Sequence, residues 1–236
     1  MPGQLDRPVL PRYLYRYRKI NDSVINQEVR TIRETYLWCS TYNAMNDPME
    51  GFFEPTRQFL KDNNYNRASR DILNQKIQIG ICCFSDTCDN ELMWSHYTEN
   101  YSGICLGYAP KELLSGLSDN SHLARVAYGN KPPDITGKDA ESPYKAAIKV
   151  LSHKKASWIY EREWRLLGPI GRIDVRGKTV LREVRIGVNI DAAHRHTLLD
   201  ELKGKPIRVY EMEPVSAYEH KWKQLHDAQG NPIKVQ

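Results

Sequence analysis

Apolar and polar positions alternate from the start of the chain. Tyr13-Leu-Tyr-Arg-Tyr-Arg18 is rich in tyrosine and predicts a first strand with Arg16 and Arg18 on one face. Asn21-Asp22-Ser23 offers a cap, and Ile25, Val29 and Ile32 follow at helical spacing. Tyr36-Leu-Trp-Cys-Ser40 predicts a short strand that runs into Asn46-Asp47-Pro48, a turn, because the residue before proline avoids the helical region. The polar segment from Glu54 to Lys76 reads as helical in part. Gln78-Ile-Gly-Ile-Cys-Cys-Phe84 is a buried strand, and Asp89 or Asn90 caps a short helix over Glu91–Tyr97. Further strands are predicted at Ser102–Tyr108, His122–Tyr128, Leu181–Val188 and Pro206–Met212. Helices are predicted from Pro110 to Leu117, from Ser142-Pro143 onward, and from the Asp191 cap to about Lys203. Strands outnumber helices without regular alternation. The fold class is therefore α+β, with mixed or antiparallel sheets and flanking helices.

The pattern changes character inside Lys154-Lys-Ala-Ser-Trp158-Ile-Tyr-Glu161-Arg-Glu163-Trp164-Arg165-Leu-Leu. Upstream the apolar spacing is helical. Downstream it reads as a strand, which would put Glu161, Glu163 and Arg165 on one face and Arg162 and Trp164 on the other. Two carboxylates and a guanidinium on one face make either an active-site edge or a solvated ladder.

A chain of 236 residues with 40% hydrophobic positions builds one good core. The expected layout is an N-terminal extension over 1–12, a single α+β domain over 13–220 and a polar tail over 221–236. The net charge of +5 is mild and spread along the chain, so it permits a nucleotide or nucleic-acid partner without demanding one. Met-Pro-Gly-Gln-Leu-Asp-Arg lacks the apolar core of a signal peptide, and no apolar run is long enough to span a membrane. Five cysteines, an odd number, fit free thiols in a reducing compartment. The expected location is cytoplasmic.

Several chemistries lack their signatures. No phosphate-binding glycine loop of the Walker or Rossmann kind occurs, and no HExxH. Cys83, Cys88 and His96 match no zinc spacing, so no metal is expected. Ser95 and His96 are helix neighbours that point about 100° apart, so they form no triad. His96 reads as a structural or ligand-contacting residue. Asp47 and Glu50 with Glu163 would suit a metal-dependent nuclease, although the turn accounts for Asp47 more simply.

Four pieces, taken in order, resemble the bacterial domain-of-unknown-function family 2971. They are Leu14-Tyr15-Arg16-Tyr17; Asn46-Asp47-Pro48-Met49-Glu50; Cys83-Phe84-Ser85 with Met93-Trp94-Ser95-His96-Tyr97; and Lys154-x3-Trp158-x2-Glu161-x-Glu163-Trp164-Arg165. The resemblance covers about Tyr13 to Tyr218 and implies no particular activity. The chain is also similar to the ADP-ribosyltransferase fold, whose members place a basic residue on an early strand, a serine or aromatic in the middle and a glutamate on a late strand. That likeness implies NAD as substrate, with Glu163 catalytic, Glu161 its partner, Arg16 on the phosphates, and Ser85, His96, Tyr97 and Arg165 lining the site. Its target would be a protein, a nucleic acid or a small molecule. Two other readings stand beside it. One is a non-catalytic sensor of a small-molecule or nucleotide ligand in a bacterial defence or stress system. The other is a structural lock in which Glu163 pairs with Arg16 or Arg165 inside a polar core.

Overall fold

A computed structural model describes residues 9–117, 120–175, 180–216 and 219–233. The first eight residues of the expected extension, the last three of the expected tail, and Tyr218 lie outside the described residues. The architecture is α+β, with strands of both orientations and helices interspersed. The described residues form two compact units: those within 9–35, 85–116 and 180–233, with 175, make the first, and those within 36–84 and 117–174 the second.

In the first unit the strands run His220–His226, Arg208–Pro214, Leu181–Ile186, Ile104–Tyr108, Leu14–Arg18 across the sheet. Only the Leu181–Ile186 and Arg208–Pro214 pair is parallel. A parallel pair needs a crossover, and helix Ala192–Leu202 supplies it. Asp191 starts that helix as predicted, accepting from the amides of Ala193 and His194. Helix Ile25–Glu34 buries Ile25, Val29 and Ile32, the expected face, but the residue before it is Val24 and no side chain caps it. Asn21 instead accepts from the Ser23 amide in a local turn. Gly187 is set by close approach. Its amide donates to Gly103 O, and a Cβ there would stand 2.1 Å from Tyr101 O. Strand His220–His226 falls largely in the segment read as a tail. It pairs antiparallel along Arg208–Pro214.

In the second unit residues 80–84, Glu163–Gly168 and His122–Arg125 form successive neighbouring strands. Two helices, Tyr65–Gln78 and Pro143–Leu151, cover them. Ala146 and Val150 meet Phe59, Ile72 and Ile135, while Ala147 and Leu151 meet Ile79, Ile81 and Leu167. Residues at i, i+1, i+4 and i+5 thus divide between two apolar clusters, which fixes the rotation of the second helix. Pro143 opens it as predicted. The strand expected over His122–Tyr128 breaks at Val126. His122–Arg125 pairs with Glu163–Gly168, and Ala127–Gly129 turns away to pair in parallel with His153–Lys155. That short ribbon sets Tyr128 opposite Lys154. Among the described residues no helix is long and apolar enough to cross a membrane.

Candidate functional site

The second unit carries a buried ionic cluster beside an open cleft. The predicted strand through Glu161 is corrected here. Residues Ala156–Glu161 form a 3-10 helix, Arg162 takes a left-handed conformation at φ 48°, and the strand begins at Glu163. Glu161 nevertheless returns to the same point, because Lys154 Nζ gathers the carboxylates. It donates to Glu161 Oε2 at 2.5 Å and lies 3.1 Å from Glu50 and 3.4 Å from Glu163. The Trp158 ring covers it, with the ammonium 4.8 Å from the centroid.

Glu163 and Arg165 do share one strand face, as alternation requires, but that face is buried and no solvated ladder exists. Arg165 is 1% exposed. Its Nε and Nη2 hold both oxygens of Glu163 at 2.8 and 2.9 Å, its Nη1 donates to Leu151 O, and its Nη2 lies 2.7 Å from Glu50. Of the two pairings considered for Glu163, the one with Arg165 is formed. Tyr128 completes the surround by accepting from the Glu163 amide at 2.8 Å.

Electrostatics follow from this packing. Burial alone would raise the Glu163 pKa, but the charge and hydrogen bonds of Arg165, with Lys154 beyond, hold it down at about 2. Burial alone would lower Lys154, but Glu163, Glu50 and Glu161 together raise it above the usual lysine range. Desolvation and the Glu163 carboxylate push the Cys83 thiol up, so it stays a neutral neighbour rather than a nucleophile.

Glu50 and Lys154 also form the inner wall of a cleft of about 440 Å³. Its other walls come from the loop that follows the Asn-Asp-Pro turn, from residues 129–133, and from His153 and Lys155. The turn is built as predicted, with Asp47 Oδ1 accepting from the Met49 amide. Gly51, at φ 78°, carries the loop onward, and Lys76 pins it by donating to Gly51 O at 2.8 Å while lying over the Tyr42 ring. This fixed loop leaves Phe52 55% and Met49 66% exposed at the cleft, near the exposed cations Lys131 and Lys155.

The structure therefore brings Glu161, Glu163 and Arg165 together with Glu50 and Lys154. Arg16, Ser85, His96 and Tyr97 belong to the other unit. There Ser85 is fully buried opposite Tyr15, its hydroxyl accepting from the Thr87 amide, and His96 and Tyr97 end helix Glu91–Tyr97. Sequence reasoning missed Lys154 as the hub and Phe52, Met49 and His153 as cleft walls. A lysine four positions before a tryptophan was the signal available for Lys154. The nuclease reading loses its ligands, since Glu50 and Glu163 are engaged by Lys154 and Arg165 and Asp47 holds the turn. Among the described residues no group of three His, Cys, Asp or Glu side chains is placed to hold a metal ion.

Residues 93–166 match the family model described as Protein of unknown function (DUF2971). That segment includes Met93–Tyr97 and the whole of Lys154–Arg165, and over it the family resemblance is borne out. No curated protein and no solved structure matches the chain.

Proposed function

We propose that the second unit binds a small molecule of the nucleotide class, with a planar apolar part and an anionic part, and that it does so without turnover. The carrying observation is the cleft itself. An exposed phenylalanine and methionine stand beside two exposed lysines, and the inner wall is immobilised by a buried ionic cluster. Its volume of about 440 Å³ falls in the usual range for small-molecule sites. Phe52 offers a stacking face and Lys131 and Lys155 offer charge, while Glu50 and Lys154 present fixed polar groups that would orient the ligand. Glu161, Glu163 and Arg165 act here as positioning residues for that wall.

The test is a thermal-shift and calorimetric titration with adenosine, AMP, ADP and NAD. A ligand at a hundred times its Kd stabilises the folded state by about 2.7 kcal/mol. Phe52→Ala or Lys155→Glu, both at exposed positions, should weaken binding about tenfold, in line with one lost stacking or charged contact. If no nucleotide raises the melting temperature, or both variants bind as the parent does, the reading fails.

A second reading rests on one observation: Glu161 and Glu163, the paired glutamates of the transferase likeness, lie together at Lys154. In that reading Glu163 is the catalytic residue and Glu161 its partner. Against it stands the engagement of both Glu163 oxygens by Arg165. Release of nicotinamide from NAD, lost in Glu163→Gln with the fold retained, would establish it in place of the first.

A further inference from the structure

The first unit contains a second cleft, of about 460 Å³, whose charge is unbalanced. Arg12, Lys111, Arg182 and Arg208 line it, and Glu112 is the one carboxylate among its lining residues. Glu112 is already engaged by Arg182 at 3.0 Å. Two of the guanidiniums are gathered around one ring. Arg12 lies 5.4 Å and Arg208 5.6 Å from the Tyr13 centroid, and the Tyr13 hydroxyl accepts from Arg208 Nη2. With more cations than carboxylates along its walls, the cleft carries a positive potential that favours an anion. Arg208 Nε is buried and meets no hydrogen-bond acceptor among the described residues. Buried donors are normally satisfied, so this N–H leaves the Arg208 guanidinium with hydrogen-bonding capacity that the described residues do not use. Glu183, 3.7 Å from Arg208 Nη2, orients that guanidinium from behind but also pairs with Arg185 at 3.0 Å. Prolines 11, 110 and 206 stiffen the apolar part of the wall.

From this geometry we infer that the cleft is an oxyanion site that takes the phosphate group of a small phosphorylated molecule. Guanidinium forks match phosphate oxygens bidentately, and a lining whose cations still outnumber the carboxylates Glu112 and Glu183 that face them suits a phosphate. The apolar wall would hold the organic part. The inference stands independently of the cleft in the second unit.

The experiment titrates the full chain with inorganic phosphate and, separately, with glycerol 3-phosphate. Sodium chloride at matched ionic strength is the control, and melting temperature and 31P line width are the readouts. Both phosphates should stabilise saturably where chloride does not. Arg12→Gln combined with Lys111→Gln should weaken the apparent affinity about tenfold, as expected for lost charge-assisted contacts, without changing the melting temperature in chloride. Arg208→Lys, which keeps the charge and removes the fork, should weaken it as well. Binding of glycerol 3-phosphate alone would identify the occupant as a phosphorylated organic molecule, and equal binding of both would show that the free anion suffices. A phosphate response no larger than that of chloride overturns the site. So does one that survives both sets of substitutions, or one that disappears in Phe52→Ala with Lys155→Glu instead.

Discussion

Replacing Arg165 by methionine is expected to lower the folding stability by about 3–5 kcal/mol, the usual loss when one partner of a buried ion pair is removed. The reason lies in what stays behind. Glu163 loses the fork that holds both its oxygens, Glu50 loses the contact at 2.7 Å, and Leu151 O loses its donor. Lys154 is then left to face three buried carboxylates. Methionine fills much of the space, so the effect isolates charge rather than volume. Urea denaturation should show a lower midpoint with an unchanged slope. The combined Glu163→Gln, Arg165→Met variant should be markedly less unstable than the sum of the two single variants, since neutralising both partners removes the uncompensated charge. A single-variant loss below about 1 kcal/mol, the range of exposed pairs, would show that the cluster is not the lock described.

Acid is expected to act on the same cluster. Glu163 sits at about 2 in the folded protein against an ordinary value of 4.5. A depressed carboxylate contributes stability that is fully present above the ordinary value and is lost as pH falls from there toward the folded value. The contribution is on the order of 3 kcal/mol at 1.36 kcal/mol per pKa unit, so stability should fall steeply between about pH 5 and pH 2. Lys154 has the opposite sign. Its raised value gives stability that is present below the ordinary 10.5 and is lost only as pH rises beyond it, so it leaves the acid limb untouched. Stability measured by denaturant at successive pH values should show this limb, and Glu163→Gln should flatten it. An acid limb of equal slope in parent and variant would assign the effect to other carboxylates. Folded domains hold only about 5–15 kcal/mol in total, so either change removes a large share.

Much of the fold could be read in advance because local chemistry decided it. Alternation gave Leu14–Arg18, Asn90 and Asp191 acted as side-chain caps, and Pro143 opened its helix. The failures had specific causes. Trp158-Ile-Tyr-Glu161 is rich in residues that favour strands, and a short 3-10 helix followed by a left-handed Arg162 has no periodic signature. Strand His220–His226 was hidden by its lysines, which are common on edge strands where they discourage further pairing. The break at Val126 arises because two different strands compete for one continuous run. In the site, the Glu163–Arg165 pair was visible from their two-residue spacing. Glu50 was grouped with Glu163 only as a metal ligand, because nothing local in Asp47-Pro48-Met49-Glu50 indicates where a distant lysine will stand.

That distance governs the order in which the molecule assembles. Glu50 meets Lys154 and Arg165 across about a hundred positions of chain, so the entropy of closing that loop must be met before the contacts form. Ion pairs of this kind need the surrounding apolar packing to be in place, so the cluster is expected to form after the rate-limiting step of folding, to be checked by the folding and unfolding rates of Arg165→Met. Interactions absent from the transition state act on unfolding. The cluster is then expected to set how long the folded molecule persists more than how quickly it forms: disrupting it should accelerate unfolding while leaving the refolding rate nearly unchanged.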